Sequence, residues 1–119
     1  MRVQQLIEEI KQRPDAARIG MILSHVGIVR GASRDGRQVT GLTVAVDHER
    51  LRQIVESEKQ SQGIIDIRVE IVENQPLSVG DEIMGLVVAG DIRDHVIPVL
   101  ERTLQAIKET VTHKTEDYA

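Results

Sequence analysis

Along the 119 residues the apolar positions change period several times, and each change marks an element. Val3, Leu6, Ile7 and Ile10 recur at three- and four-residue spacing, which predicts a short amphipathic helix over Arg2 to Gln12, ended by Arg13-Pro14, with its Glu and Lys residues in water. Ile19 to Val29 is apolar and rich in β-branched residues. It is too short for a membrane span and too long for an ordinary strand unless it bends or carries a bulge near Ser24-His25. Gly31-Ala32-Ser33-Arg34-Asp35-Gly36 reads as a turn and Val39 to Val46 as a returning strand. Together these predict an antiparallel hairpin with a mobile, basic tip.

Asp47 is placed to cap a helix starting at His48, with Leu51, Ile54 and Val55 on its buried stripe and Gly63 as its stop. Ile65, Ile67, Val69 and Ile71 alternate with Asp66, Arg68 and Glu70, a strand with one solvated face. After Asn74-Gln75-Pro76, Leu77 to Asp81 turns into a strand over Glu82 to Ala89. Val96, Val99, Leu100, Thr103, Leu104 and Ile107 mark a last helix, expected to begin near Pro98 because proline suits a first turn. Thr110 to Ala119 has no apolar period and is expected as a flexible tail that orders on a partner or ligand. The order β-β-α-β-β-α after an N-terminal helix predicts an α+β fold with a mostly antiparallel sheet and flanking helices.

Composition narrows this to one domain over residues 1–119, with 40% hydrophobic and 29% charged residues. With one Tyr and no Phe or Trp, the core must come from Val, Ile, Leu, Ala and Met. A core without large anchors gains from burial against a second copy, so a homo-oligomer is expected. The net charge of -4 argues against a nucleic-acid binder, and zero Cys removes disulfides, thiolate metal sites and cysteine nucleophiles. Without an apolar run of membrane length, a soluble, cytoplasmic protein is expected.

The candidate chemistry is cationic. Arg30, Arg34 and Arg37 fall in or beside one loop, where guanidinium groups can fork onto phosphate or carboxylate oxygens; a solvated turn is the alternative. Arg93 sits between a strand and a helix start, where backbone amides also favour an anion, unless Asp91 or Asp94 holds it in an ion pair. Lys108 and Lys114 lie six residues apart and would reach one cleft if the tail folds back, as base or nucleophile; otherwise each is a solvated cation. His25, His48, His95 and His113 lack the spacing of a metal site, and no metal or cofactor is expected.

In order, Gly27-Ile28-Val29-Arg30, Leu42-Thr43-Val44, the helix after Asp47, Val79-Gly80-Asp81-Glu82-Ile83, Arg93, Lys108 and Lys114 resemble the large, catalytic subunit of molybdopterin synthase. The similarity runs from about Ile19 to Glu116. It implies the α/β-hammerhead fold of that family and a role in molybdenum cofactor biosynthesis. A ubiquitin-like small subunit ending in a Gly-Gly thiocarboxylate would deliver sulfur to cyclic pyranopterin monophosphate, with a dimer of large subunits at the centre of the assembly. By position, Arg30 and Arg93 would hold anions, and Lys108 and Lys114 would do acid-base or covalent work. Where the family has a His-Arg pair before the Gly-Asp turn this chain has Val72-Glu73, and where it has a second it has Ile92-Arg93. That difference frames the alternative: a catalytically impaired homologue that docks a ubiquitin-like tail or an anionic ligand as a binding or regulatory module.

Overall fold

The structure is a computed structural model and describes residues 3–119. Its elements run α1 (Val3–Lys11), a single 3-10 turn (Ala16–Arg18), β1 (Met21–Ile28), β2 (Val39–Val46), α2 (His48–Lys59), β3 (Ile64–Ile71), β4 (Leu77–Ser78), β5 (Glu82–Gly90), α3 (Arg93–Thr110) and β6 (Thr112–Tyr118). The strands form two antiparallel sheets of three, ordered β1-β5-β3 and β4-β2-β6. This is the expected α+β architecture.

β5 is central in the first sheet and buried from Met84 to Gly90, because a helix covers each face. Its alternating side chains divide accordingly: Leu86 and Val88 pack with Val96 and Val99 of α3, while Val87 and Ala89 pack with Ile10 of α1. α2 lies against α3 through Ile54 and Ile107, and Arg102 grips Glu58 with two hydrogen bonds of 2.7 and 2.8 Å. Asp47 caps α2 as expected, accepting from the Arg50 amide at 3.0 Å. A fourth cluster joins the sheets, with Val29, Leu42, Val44 and Leu77 packed on Ile71, Val72 and Ile83. The result is elongated, 49 × 24 × 24 Å.

The expected β1-β2 hairpin does not form. After β1 the chain hooks onto the Gly80-Asp81 turn, where Val29 N–H donates to Asp81 O and Gly80 N–H to Val29 O, both at 2.9 Å. That anchor carries the next strand into the second sheet, and the Arg-bearing loop closes on itself through the Ala32–Gln38 bridge and the Val39–Gly31 and Ser33–Arg37 backbone hydrogen bonds. The bulge in β1 falls between Gly27 and Ile28, beside that exit, and not at Ser24-His25. In β3, Asp66 is not solvated: it is 2% exposed and held among cations from three segments.

α3 begins at Arg93, five residues before Pro98. The Asp91 carboxylate accepts from the Ile92 amide and from His95 Nδ1, both at 2.7 Å, and Val96 is fully buried. Those contacts outweigh the one helical hydrogen bond Pro98 lacks, because Pro98 and Asp94 both lie on the solvent side, where water serves the Asp94 carbonyl. The expected tail is strand β6, paired with β2 from Val39–Tyr118 to Val46–Thr112. An edge strand draws its stability from the ladder and needs no apolar face, so Thr112 to Tyr118 shows no apolar period.

Gly63, between α2 and β3, has φ +77°, and a Cβ there would run into His95 Nδ1 and Asp91 Oδ1. Gly63→Ala is therefore expected to destabilise the fold by about 1–2 kcal/mol, read as a lower midpoint in urea with an unchanged slope.

Candidate active site

Lys108 occupies the last turn of α3 and is exposed, its ammonium without a hydrogen bond or ion pair to any other described residue. Its level in the fold follows from the packing. A Cβ on Gly90 would meet Val96 Cγ2, and Gly90 pairs with Met21, so Val96 stands level with Met21 at the start of β1. α3 returns from β5 in the direction of β1. Twelve helical residues on from Val96, about 18 Å, Lys108 comes level with Val26 and Gly27, the fifth and sixth residues after Met21.

β1 turns Leu23 toward α3, and by strand alternation His25 and Gly27 share that face. His25 Nε2 is buried without a hydrogen-bond partner, 3.8 Å from where a Cβ on Gly27 would sit. Burial, and secondarily the positive charge of Lys108, hold the His25 imidazole below the usual histidine range. Sequence reasoning set His25 aside among scattered histidines. The signal was there in its position: a polar residue two before Gly27 on the inward face of an apolar strand.

Lys114 is the third residue of β6, opposite Val44, and exposed. Because β6 follows α3 through the buried Val111, Lys108 and Lys114 flank one corner, with Cα atoms no more than about 15 Å apart. Arg30 is exposed just past Val29, a few residues beyond the level of Lys108 on the path of β1. Arg34 is exposed in the loop beyond it, and Arg37 lies over the Tyr118 ring at 3.5 Å, at the far end of β6 from Lys114.

Arg93 is the residue the chain does not bring to this corner. It opens α3 while Lys108 closes it, and fifteen residues of helix separate them by about 22 Å. Asp91 pairs with His95 and not with Arg93. Two open concavities, of about 460 and 530 Å³, lie elsewhere: one between α1 and the start of β1, around Ile7 and Met21, and one on the outer face of α3, around Arg102 and Gln105. Neither is lined by any of the six cations. Among the described residues no group of three His, Asp or Glu side chains is placed to hold a metal, and no helix is long and apolar enough to cross a membrane.

The sequence profile of the MoaE protein family matches residues 1–110, which include Lys108. The chain belongs to the MoaE protein family. The family resemblance read from the sequence is thus borne out, and with it a role in molybdenum cofactor biosynthesis. Lys114 lies four residues past the matched region.

Solved structures with the same fold include molybdopterin synthase from Staphylococcus aureus, 21% identical over 86% of this chain and 77% of that one, with a TM-score of 0.73. The molybdopterin cofactor biosynthesis protein E of Burkholderia multivorans is 19% identical over 98% and 82%, with a TM-score of 0.76. A complex of subunits 1 and 2 of the molybdopterin-converting factor from Helicobacter pylori contains a chain 17% identical over 100% and 84%, with a TM-score of 0.73. No curated protein sequence matches the chain.

Proposed function

We propose that this MoaE family protein is the sulfur-accepting-site subunit of a molybdopterin synthase, and that its working unit is a homodimer. The family match through Lys108 carries the reading. A thiocarboxylated ubiquitin-like small subunit would present its C-terminal acyl group at the α3-β6 corner, where Lys108 and Lys114 supply positive charge and an amine to the reacting centre. Arg30 would grip the phosphate of cyclic pyranopterin monophosphate, with Arg34 and Arg37 on its approach. The complex of two subunits in the Helicobacter structure supports a small-subunit partner.

Helix geometry supports the homodimer. Arg93 and Lys108 of one chain are too far apart to touch one small substrate, so Arg93 would serve the site of a second copy. The family assignment favours this biosynthetic role over a purely binding or regulatory module. The deciding experiment is single-turnover conversion of cyclic pyranopterin monophosphate by the protein mixed with a thiocarboxylated small subunit. Conversion establishes the activity, and binding of the small subunit without conversion overturns it.

If Arg30 holds only the phosphate, Arg30→Ala raises the apparent KM for the pterin about tenfold or more with kcat little changed. Steady-state kinetics with the small subunit saturating measures this. An unaltered KM with a lower Tm would make Arg30 structural.

A further inference from the structure

Among the described residues only two buried side-chain polar atoms lack a hydrogen-bond partner, His25 Nε2 and Thr103 Oγ1. Unpaired buried polar atoms are rare in folded proteins and each asks for a partner. The level count that sets Lys108 beside Val26 and Gly27 sets His25 within a turn of it. The ring leans toward Gly27, where a Cβ would stand 3.8 Å from Nε2 and 3.9 Å from Met84.

The charges around His25 leave one donor. On β1 its neighbours Ser24 and Val26 are uncharged, and across the ladder it faces Leu86, flanked by Gly85 and Val87. From α3, Lys108 is the cation whose charge reaches it, and Thr103 is the other polar group on the buried stripe. Its Nδ1 is not among the buried orphans, so water can take the ring's proton-bearing side while Nε2 stays an acceptor.

We propose that His25 is a positioning residue for Lys108: its buried Nε2, reaching over Gly27, accepts a hydrogen bond from the Lys108 ammonium and holds that group at the α3-β6 corner. No hydrogen bond joins the two in the structure, and the four-carbon lysine stem supplies the reach through a change of rotamer. What Lys108 does once held rests on the sulfur-transfer reading; the contact itself does not.

The test has two independent readouts on the full-length protein. The first is the Lys108 methylene resonance beside the amine, assigned by its loss in Lys108→Ala and followed by NMR between about pH 4 and 7. It is expected to report the protonation of His25 in the wild type and to lose that step in His25→Phe. A Lys108 signal identical in the two proteins overturns the contact, as would a water bridging His25 to Thr103. The second readout is single-turnover sulfur transfer, expected to fall about tenfold or more in His25→Phe with small-subunit binding unchanged. His25→Gln, which restores an acceptor, should recover part of it. Transfer unaffected in both variants overturns the positioning role even if the contact exists. A wild type that transfers no sulfur would overturn the functional reading while the Lys108 signal still decides the contact. The Tm of His25→Phe should not fall, since the change removes an unpaired buried acceptor.

Discussion

Lys108→Ala and Arg93→Ala chains, each without sulfur transfer alone, recover about a quarter of wild-type turnover when mixed and allowed to exchange subunits. The expectation comes from the roughly 22 Å of helix between the two residues. If each site takes Lys108 from one copy and Arg93 from the other, random pairing makes about half the dimers mixed, and each mixed dimer carries one intact site of its two. Lys108→Ala alone should lower turnover by about three orders of magnitude, because it removes one of the two amines placed at the reacting centre. Folding should survive, since an exposed lysine in a last helical turn contributes less than about 1 kcal/mol. The measurement is turnover of the mixture beside each variant alone, with sedimentation to establish the dimer. A mixture as inactive as its components, with mixed dimers present, would separate Arg93 from the site of Lys108.

Asp66→Ala is expected to cost about 2–4 kcal/mol of stability, a fall in Tm of roughly 10 °C. The carboxylate is 2% exposed and is held by Arg68 Nε at 2.9 Å, Lys59 Nζ at 3.3 Å, Arg13 Nη1 at 3.5 Å and the Ile67 amide at 2.9 Å. One side chain therefore ties the segment after α1, the end of α2 and the start of β3. The figure sits below that for a fully buried pair, because the cations keep about a third of their surface in water and can be rehydrated.

The pH dependence has a fixed sign. Burial alone would raise the Asp66 carboxyl, but the Arg68 hydrogen bond, the Lys59 charge and hydrogen bond and the Ile67 amide outweigh it and leave it lowered. The unfolded chain then binds the proton first, so the contribution of Asp66 is complete above about pH 4 and is lost as pH falls through the folded value. Urea denaturation of wild type and Asp66→Ala from pH 7 down to 3 should show the two curves converging in acid. A difference independent of pH would mean that packing, not charge, is what Asp66 supplies.

Asp66 also shows where sequence reading stopped. Its alternation with Ile65 and Ile67 established a strand, but the solvated face that pattern implied holds a buried carboxylate, because the segment after α1 and the end of α2 bring their cations onto it from distant parts of the chain. The same division runs through the site. Arg30, Arg93 and Lys108 were legible as cations at element ends, and Lys114 as a cation in the tail. That Lys108 and Lys114 flank one corner, and that Arg93 stands at the other end of the helix, depended on where α3 begins and on β6 forming at all.

By itself the sequence determined the elements whose physics is local. The 3.6-residue stripes of α1 and α2, the Asp47 cap, the alternation of β3 and the glycine turns all follow from neighbouring residues, and the ordered motifs were enough to place the family. Only the tertiary structure decided what depends on partners far along the chain. Hydrogen bonds to the Gly80-Asp81 turn sent β2 into a separate sheet, packing of Val96 and the Asp91 contacts began α3 ahead of Pro98, and the free edge of β2 drew a polar tail into β6. In each case the deciding energy was a backbone ladder or buried contact with a distant segment, which no local period records.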